Sequence, residues 1–477
     1  MGRDRPRAVR DRLRVVIVGG GVAAVEVLLA LSELARHRVD ITLLSRGREF
    51  LYRPVTVAEA FDRGEARAYE LAEILAYAGG GELVLGSLER VGADERIIVT
   101  VAGNRVQYDA LIIATGANVS EPLPGAVTFR GRTDVRALRE VLNELVARAA
   151  RSVALTLPTG RTWPLPLYEL ALMTAVHLRE RDPNDAEVWL VTPEREPLEL
   201  FGPAAVRAIE PMLKARGIRL RTSARPELIR DGALVLVGGD EVPAERVITL
   251  PELRGPRLQG LPGDQHGFVP VDNHGRVNGL EDVYAAGDVT TFPLKQGGLA
   301  AQQADAVAET IAAELGLPIT PKPFSPVLRG LLMTGGAPLY LRAEPQQLAG
   351  ETTLAIEATP PRPTTREASS ASGQPLWWPP TKIAGRYLAP FLASARPHPL
   401  TCEPLADRVA APGPPLPEAE YQDALELTLI LANSNARWGD YRAALNALDA
   451  AEALQGALPA EYETKRQQWR AAKRTGA

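Results

Sequence analysis

"RVVIVGGGVAAVEVLLAL", residues 14–31, reads as three pieces. Val15 to Val18 is an unbroken apolar run of the kind buried on both faces of a parallel sheet. Gly19-Gly20-Gly21-Val22-Ala23-Ala24 is a G-x-G-x-x-A turn, and a helix is predicted from about Val22. Gly19 permits the sharp bend, Gly21 lets backbone approach a pyrophosphate, and Ala24 lets the helix lie close on the strand. The helix start adds unpaired N–H groups and about half a positive charge, so a diphosphate is the natural occupant of Gly21, Val22 and Ala23. Strand, turn and helix in this order predict a dinucleotide-binding domain.

The totals set limits around that domain. A chain of 477 residues is too long for one core and predicts about two to four domains. Hydrophobic content of 45% with 23% charged residues is ordinary for soluble globular protein. A net charge of -4 argues against a general nucleic-acid binder, which needs a basic face to displace counterions. Cys402 is the one cysteine, which excludes an internal disulfide, a dithiol pair and a cysteine-built metal or iron–sulfur site within one chain. Of the five histidines only His398 lies near Cys402, and both read as surface residues of a proline-rich segment. The opening "MGRDRPRAVRDRLR" leads into the strand and not into a leader's apolar segment, and no run of about 18 apolar residues exists. The expectation is a cytoplasmic protein, with peripheral contact at the inner face of the membrane left open.

The strand after the first helix, "VDITLLSRGREF", ends in Ser45 and Arg46 where an acid usually grips the adenosine ribose. The Ser45 hydroxyl can still hydrogen-bond a ribose, more weakly than a carboxylate. Arg46 either meets adenine or phosphate or is simply solvated. "YDALIIATGA" (108–117) is a buried strand ending in Ala114-Thr115-Gly116, and "LEDVYAAGDVT" (280–290) is another ending in Gly287-Asp288.

Together with the first turn, these stretches resemble the two-dinucleotide-binding-domain flavoproteins of the pyridine nucleotide–disulfide oxidoreductase superfamily. "REFLYRPVTVAEAF" and "LKQGGLAAQQADAVAETIA" are most similar to type II NADH dehydrogenases, sulfide:quinone oxidoreductases and flavocytochrome c sulfide dehydrogenase. The resemblance covers residues 13 to about 316 and implies FAD. It implies that Asp288 meets the ribityl or diphosphate region, that Thr115-Gly116 marks the crossover between domains, and that Arg53-Pro54 lies beside the isoalloxazine. Leu88, in "LGSLERV", would offer backbone to adenine, and Gln296 and Gly297 would meet the cofactor at the start of a late helix. That helix has the composition of one and a C-terminal glycine, Gly316. Its positive end, with Lys295 just before it, would favour a reduced, negatively charged flavin.

Residues 120–250 repeat the α/β rhythm. A nicotinamide domain of this family carries a glycine-rich turn after its first strand, where this chain has "TLPTGRTWPLPLYELA" (156–171). Pro158, Pro164 and Pro166 donate no N–H and Trp163 is bulky, so loss or weakening of the nicotinamide site is expected and NAD(P)H is a doubtful substrate. Glu194, ending the next strand, is either a remnant ribose-binding acid or an exposed charge. Glu169 matches a glutamate that in the relatives reaches toward the flavin and can relay a proton. It reads equally as an ordinary first-turn helix acid. Sulfide chemistry of the relatives' kind needs at least two thiols, and the quinone motif is incomplete: the first glutamine is replaced and Gln302 remains.

The predicted architecture is α/β. A discontinuous FAD domain (1–119 and 251–319) holds an inserted NAD(P)-binding-like domain (120–250). A small α+β region (320–397), with a mobile loop at 358–376, covers the flavin. A proline-rich linker (398–417) leads to a helical tail (418–477). Ile383, Tyr387, Leu388, Phe391 and Leu392 share one helical face that packs on the flavin domain, or else, with Trp377 and Trp378, touches a membrane interface. In the tail, Ala432, Gly439, Tyr441, Ala444, Leu448 and Ala451 have the spacing of one tetratricopeptide repeat, which must dock on the body, a second subunit or a partner. The functional expectation is an FAD-dependent oxidoreductase that passes two electrons from a donor to an acceptor such as a quinone. The alternatives are an NAD(P)H:quinone oxidoreductase and a flavin-bearing scaffold that recruits a partner through the tail.

Overall fold

In the computed structural model, residues 12–158, 162–181, 186–344, 369–377, 380–394, 418–455 and 457–475 are described. The first strand, β1 (Leu13–Val18), leads through the glycine turn into α1 (Val22–Ala35), followed by β2 (Val39–Ser45), β3 (Glu82–Leu85) and β4 (Ala110–Ile113). A second unit follows with β5 (Val127–Thr128), β6 (Ser152–Thr156), α2 (Leu165–Arg181), β7 (Glu187–Val191), β8 (Arg219–Arg221) and β9 (Arg246–Thr249). The chain then returns through β10 (Val283–Ala285) and α3 (Gly297–Glu314).

Two parallel five-stranded sheets result, in the orders β10-β4-β1-β2-β3 and β5-β9-β6-β7-β8. β4 and β10 are wholly buried, as strands covered on both faces must be. In the first sheet the order reverses between β1 and β4, which opens a crevice at their carboxyl ends. Helices α1 and α3 pack along each other above this sheet, with Ala23, Ala24, Ala300, Ala301 and Ala304 buried in one core. Small residues on both helices bring their amino-terminal ends to the crevice.

Beyond α3 an antiparallel sheet is formed by β11 (Leu328–Leu332), β12 (Leu339–Ala343) and β13 (Ser369–Ser372). The last strand corrects the expectation of a mobile loop over 358–376. Residues 369–372 pair with the open edge of β12, and the Ser369 hydroxyl donates to the carbonyl of Phe201 (2.7 Å). A polar, serine-rich strand needs only one dry face, and hydroxyl-to-backbone bonds satisfy the rest. Residues 358–368 lie outside the described residues, as do Gly160, Trp378, His398, Cys402 and the linker 398–417.

The apolar face foreseen around 383–392 is buried against the first domain, with a short helix α4 at Leu388–Ala393. Trp377 is buried against Tyr340, and its indole N–H donates to Thr381 O (3.0 Å). It therefore does not meet a membrane interface: its ring and its polar tip are both used internally. Among the described residues no helix is long and apolar enough to cross a membrane.

The tail forms α5 (Glu418–Arg437), α6 (Tyr441–Gln455) and α7 (Ala460–Thr475). Ala432, Ala444, Leu448 and Ala451 are fully buried where α5 and α6 touch, and Gly439 makes the turn at φ +79°. The tail docks on its own body. Trp438 stacks on Tyr77 at 5.0 Å and leans on Phe391 at 6.0 Å, the Tyr77 hydroxyl donates to Ser434 Oγ (2.7 Å), and Arg437 pairs with Glu33. Arg386 and Arg329 reach Glu426 and Asp423 on α5. Trp438→Ala should weaken this docking by about 1–3 kcal/mol. Limited proteolysis should then release the tail faster than from the wild type while the body keeps its resistance.

Candidate active site

The glycine turn is fixed by what surrounds it. Gly19 has φ +140°, and a Cβ there would overlap the Ala114 carbonyl oxygen, so only glycine lets the turn sit against the end of β4. A Cβ on Gly20 would come within 2.5 Å of Ser45 Oγ, which places the buried Ser45 hydroxyl against the turn, while Arg46 beyond it is exposed. Gly21 differs: its missing side chain leaves open space, and no side chain caps α1, which begins there. Next to the turn the Thr115 hydroxyl is buried without a hydrogen-bond partner among the described residues, and Gly116 also borders open space. An uncapped helix start, room at Gly21 and an orphaned hydroxyl fit the diphosphate of an extended dinucleotide.

The other end of the crevice is built from β10 and α3. Gly287 has φ +83°, and a Cβ there would stand 3.1 Å from Ala23 and 3.3 Å from Ala300, so it sits wedged between α1 and α3. Its amide donates to Gln303 Oε1 (2.7 Å). Asp288, part-exposed, has its carboxyl pushed up by its desolvating surroundings and pulled back by Lys295 and Arg53. The fold thus gathers Arg53, Asp288 and Lys295. The ammonium of Lys295 is committed: it is buried, donates to the carbonyl of Thr290 and lies 4.0 Å from the centre of the Phe268 ring. Gln296 is the N-cap of α3, its Oε1 accepting from the Leu299 amide (2.7 Å), and Gly297 lies against Val22 and Ile383. Gln302 is used in packing, bonding the amide and carbonyl of Val327 at 2.9 Å each. Pro54 lies in a short turn with the exposed Arg53, and half-buried Leu88 opens a separate antiparallel sheet opposite Thr100.

The sequence reading missed the partner of Glu169. That carboxylate, fully buried on α2, accepts from Lys382 Nζ at 2.5 and 2.7 Å and from the Met333 amide at 2.8 Å. Lys382 is itself buried, between Thr381, whose carbonyl holds Trp377, and Ile383, whose amide donates to the Tyr52 hydroxyl (3.0 Å). Burial pushes the Glu169 carboxyl up and the Lys382 ammonium down, and each restrains the other's shift. Two groups driven toward each other this way can exchange a proton. A signal was available in "WWPPTKIAGRYLAPFLA", where one lysine interrupts an apolar stretch.

In the second domain Glu194 is not exposed, and its Oε1 has no hydrogen-bond partner among the described residues. It is buried and accepts from the hydroxyls of Tyr168 (2.6 Å) and Thr192 (2.8 Å), while the Leu198 amide donates to Tyr168 (3.1 Å). Leu198 takes a left-handed conformation at φ +54° to do so. The chain's own tyrosine engages one oxygen of this carboxylate. Burial, with the negative charge of Glu199, pushes the Glu194 carboxyl up to about 7 against the pull of the two hydroxyls.

A crevice that fits an extended dinucleotide at the switch point of one parallel sheet, beside a second such sheet, defines a protein of two dinucleotide-binding folds. The model of the pyridine nucleotide-disulphide oxidoreductase family matches residues 13–154 and 169–308, and the chain belongs to that family. It is an FAD-dependent oxidoreductase. Residues 155–168, the proline-bearing loop, fall between the two matched stretches. An NADH dehydrogenase-like protein of Mycobacterium tuberculosis is 28% identical over 297 residues, 58% of this chain and 72% of that protein. The sulfide-quinone reductase of Aquifex aeolicus is 24% identical over 331 residues, 63% of this chain and 76% of that protein. The X-ray structure of the sulfide:quinone oxidoreductase of that organism has the same fold, with a TM-score of 0.65 at 21% identity over 76% of this chain and 86% of the other.

Gly21→Val fills the open cradle, and should lower FAD affinity by about 100-fold or more while the protein melts near the wild-type apoprotein temperature. Flavin titration and thermal melting check both halves. The raised Glu194 makes a second prediction. Between its ordinary 4.5 and about 7 the folded chain holds a proton that the unfolded chain has released. Its contribution to stability is therefore complete below the ordinary value and is lost as pH rises through 7, at about 1.4 kcal/mol per pH unit. Glu194→Gln should flatten that decline in a series of denaturant melts.

Proposed function

We propose that this FAD-dependent oxidoreductase takes electrons from a reduced donor other than a nicotinamide nucleotide and delivers them to a quinone-class acceptor. The observation that carries the reading is the buried Glu169–Lys382 pair, set where α2 of the second domain, β11 and the segment before α4 meet. Reduction of a quinone consumes two electrons and two protons, and oxidation of a quinol-like or other hydrogen donor releases the same. Bound FAD supplies a two-electron store between those half-reactions. The chain's own residues bind it and manage the protons. Gly21, the start of α1 and Thr115 would hold its diphosphate region, and Asp288, within the fields of Lys295 and Arg53, would hold the far end. Glu169 and Lys382 keep one proton between them in a site closed to bulk water; passing it to an acceptor oxygen leaves the buried carboxylate without its counter-charge, so the pair must take up a replacement proton in each turnover.

The closed second domain supports the choice of donor. Tyr168 engages Glu194, and the loop that should cradle a pyrophosphate lacks paired glycines. A nicotinamide-fed reading is favoured by one observation, the likeness to an NADH dehydrogenase-like protein. Anaerobic titration of the yellow protein separates the two. A quinol should bleach the flavin within the mixing time of a manual assay, and NADH, NADPH and sulfide should bleach it at least about 100-fold more slowly. Rapid bleaching by NADH would overturn the proposed donor class. Glu169→Gln should retain FAD and lower the rate of electron exchange with quinone by about 100-fold or more.

A further inference from the structure

The segment 380–388 crosses from the second domain to the first, and its course decides where Lys382 ends. A lysine has four flexible side-chain bonds, so two contacts of 2.5 and 2.7 Å to one carboxylate require a backbone that is itself held. Three sets of bonds hold it. Thr381 is tied locally, its carbonyl to the Trp377 indole and its hydroxyl to Ile383 O (2.7 Å). Downstream, the fully buried Glu26 on α1 accepts from the amides of Tyr387 and Leu388, both at 2.8 Å, with Gly385 leaving room for the carboxylate. At the lysine itself, the Tyr52 hydroxyl accepts from the Ile383 amide and also hydrogen-bonds the backbone of Lys382.

Tyr52 is buried and immediately precedes the Arg53-Pro54 turn. Its burial pushes the phenol far above its ordinary range, so it remains an uncharged hydroxyl. It joins the first domain directly to the backbone that carries Lys382, whereas Glu26 acts five residues farther on.

We propose that Tyr52 is a positioning residue for the Glu169–Lys382 pair: its hydroxyl fixes the backbone at 382–383 and thereby the reach of the ammonium to the carboxylate. This rests on the reading of that pair as the proton-holding site. Tyr52→Phe keeps the ring and its packing and deletes only the hydroxyl.

The test uses the full-length FAD-loaded protein and two measurements that are independent of turnover. Hydrogen exchange of peptides spanning 380–388 should quicken about tenfold in Tyr52→Phe. The midpoint potential of the bound flavin, titrated against pH, should change slope at the pH where the pair loses its proton. Lys382→Met removes the amine that shares the proton and moves that inflection downward, to the pH at which Glu169 alone ionises. Tyr52→Phe should move it in the same direction by a smaller step, and the double variant should match Lys382→Met alone, because both act through one ammonium. An inflection unmoved by Tyr52→Phe but moved by Lys382→Met overturns the positioning role and leaves the pair's reading intact. Additive shifts overturn the positioning role in the same way. A wild-type profile without an inflection, or one that Lys382→Met does not move, overturns the reading of the pair, and the role of Tyr52 with it.

Discussion

Two helix amino-termini share one crevice, and the structure is arranged around that constraint. α1 and α3 lie close because Ala23, Gly287 and Ala300 meet where larger side chains would hold the helices apart. The same closeness sets Gly297 against Val22, so the two positive ends lie side by side. Without an anion such an arrangement repels itself, and the uncapped start of α1 has N–H groups with no side-chain partner. A cofactor with a charged middle resolves both problems. The reversal of strand order between β1 and β4, the glycine at 19 and the wedge at 287 all serve to bring those ends together.

Buried charge is the second theme. Removing one member of a pair such as Glu169–Lys382 leaves an uncompensated ion, which costs about 3–5 kcal/mol, so both partners are tied to the same geometry. Glu26 follows a similar rule with different partners: its buried carboxylate is satisfied by two backbone amides from residues 387 and 388. Its own range is raised by burial, and Asp305 on α3 beside it is raised further by burial and by Glu26. These groups bind the C-terminal segment to the helices that form the crevice. The tail packs on the first domain through Tyr77, Phe391 and Trp438, while its helices keep a core of their own around Leu431, Ala447 and Leu448.

The second dinucleotide fold keeps its sheet and holds its strand-end acid inside the domain. β6 and α2 retain the order of a nucleotide-binding unit, and the tyrosine hydroxyl at 168 and the threonine hydroxyl at 192 both donate to one oxygen of the acid at 194. One turn of α2 then carries both features, Tyr168 bonding Glu194 and Glu169 facing Lys382. Adjacent helical residues point about 100° apart, which lets one segment serve two surfaces.

The first domain was legible in the sequence because its signals are local. A strand, a glycine turn and a helix follow each other within 18 residues, and the steric reasons for Gly19, Gly21 and Ala24 operate over neighbouring atoms. The late helix, with its Gly-Gly start and Gly316 beyond its end, was legible for the same reason. The strand at 369–372 was not, since a serine-rich segment has no period of its own and takes its conformation from the edge of β12. Lys382, Tyr52 and Glu26 were equally silent: the residues that satisfy them lie 213, 331 and 361 positions away along the chain. The sequence alone determined the class of cofactor and the bend that receives it. Only the tertiary structure decided which charges are paired in the dark interior, because desolvation acts on distances in space and leaves no trace in the order of residues.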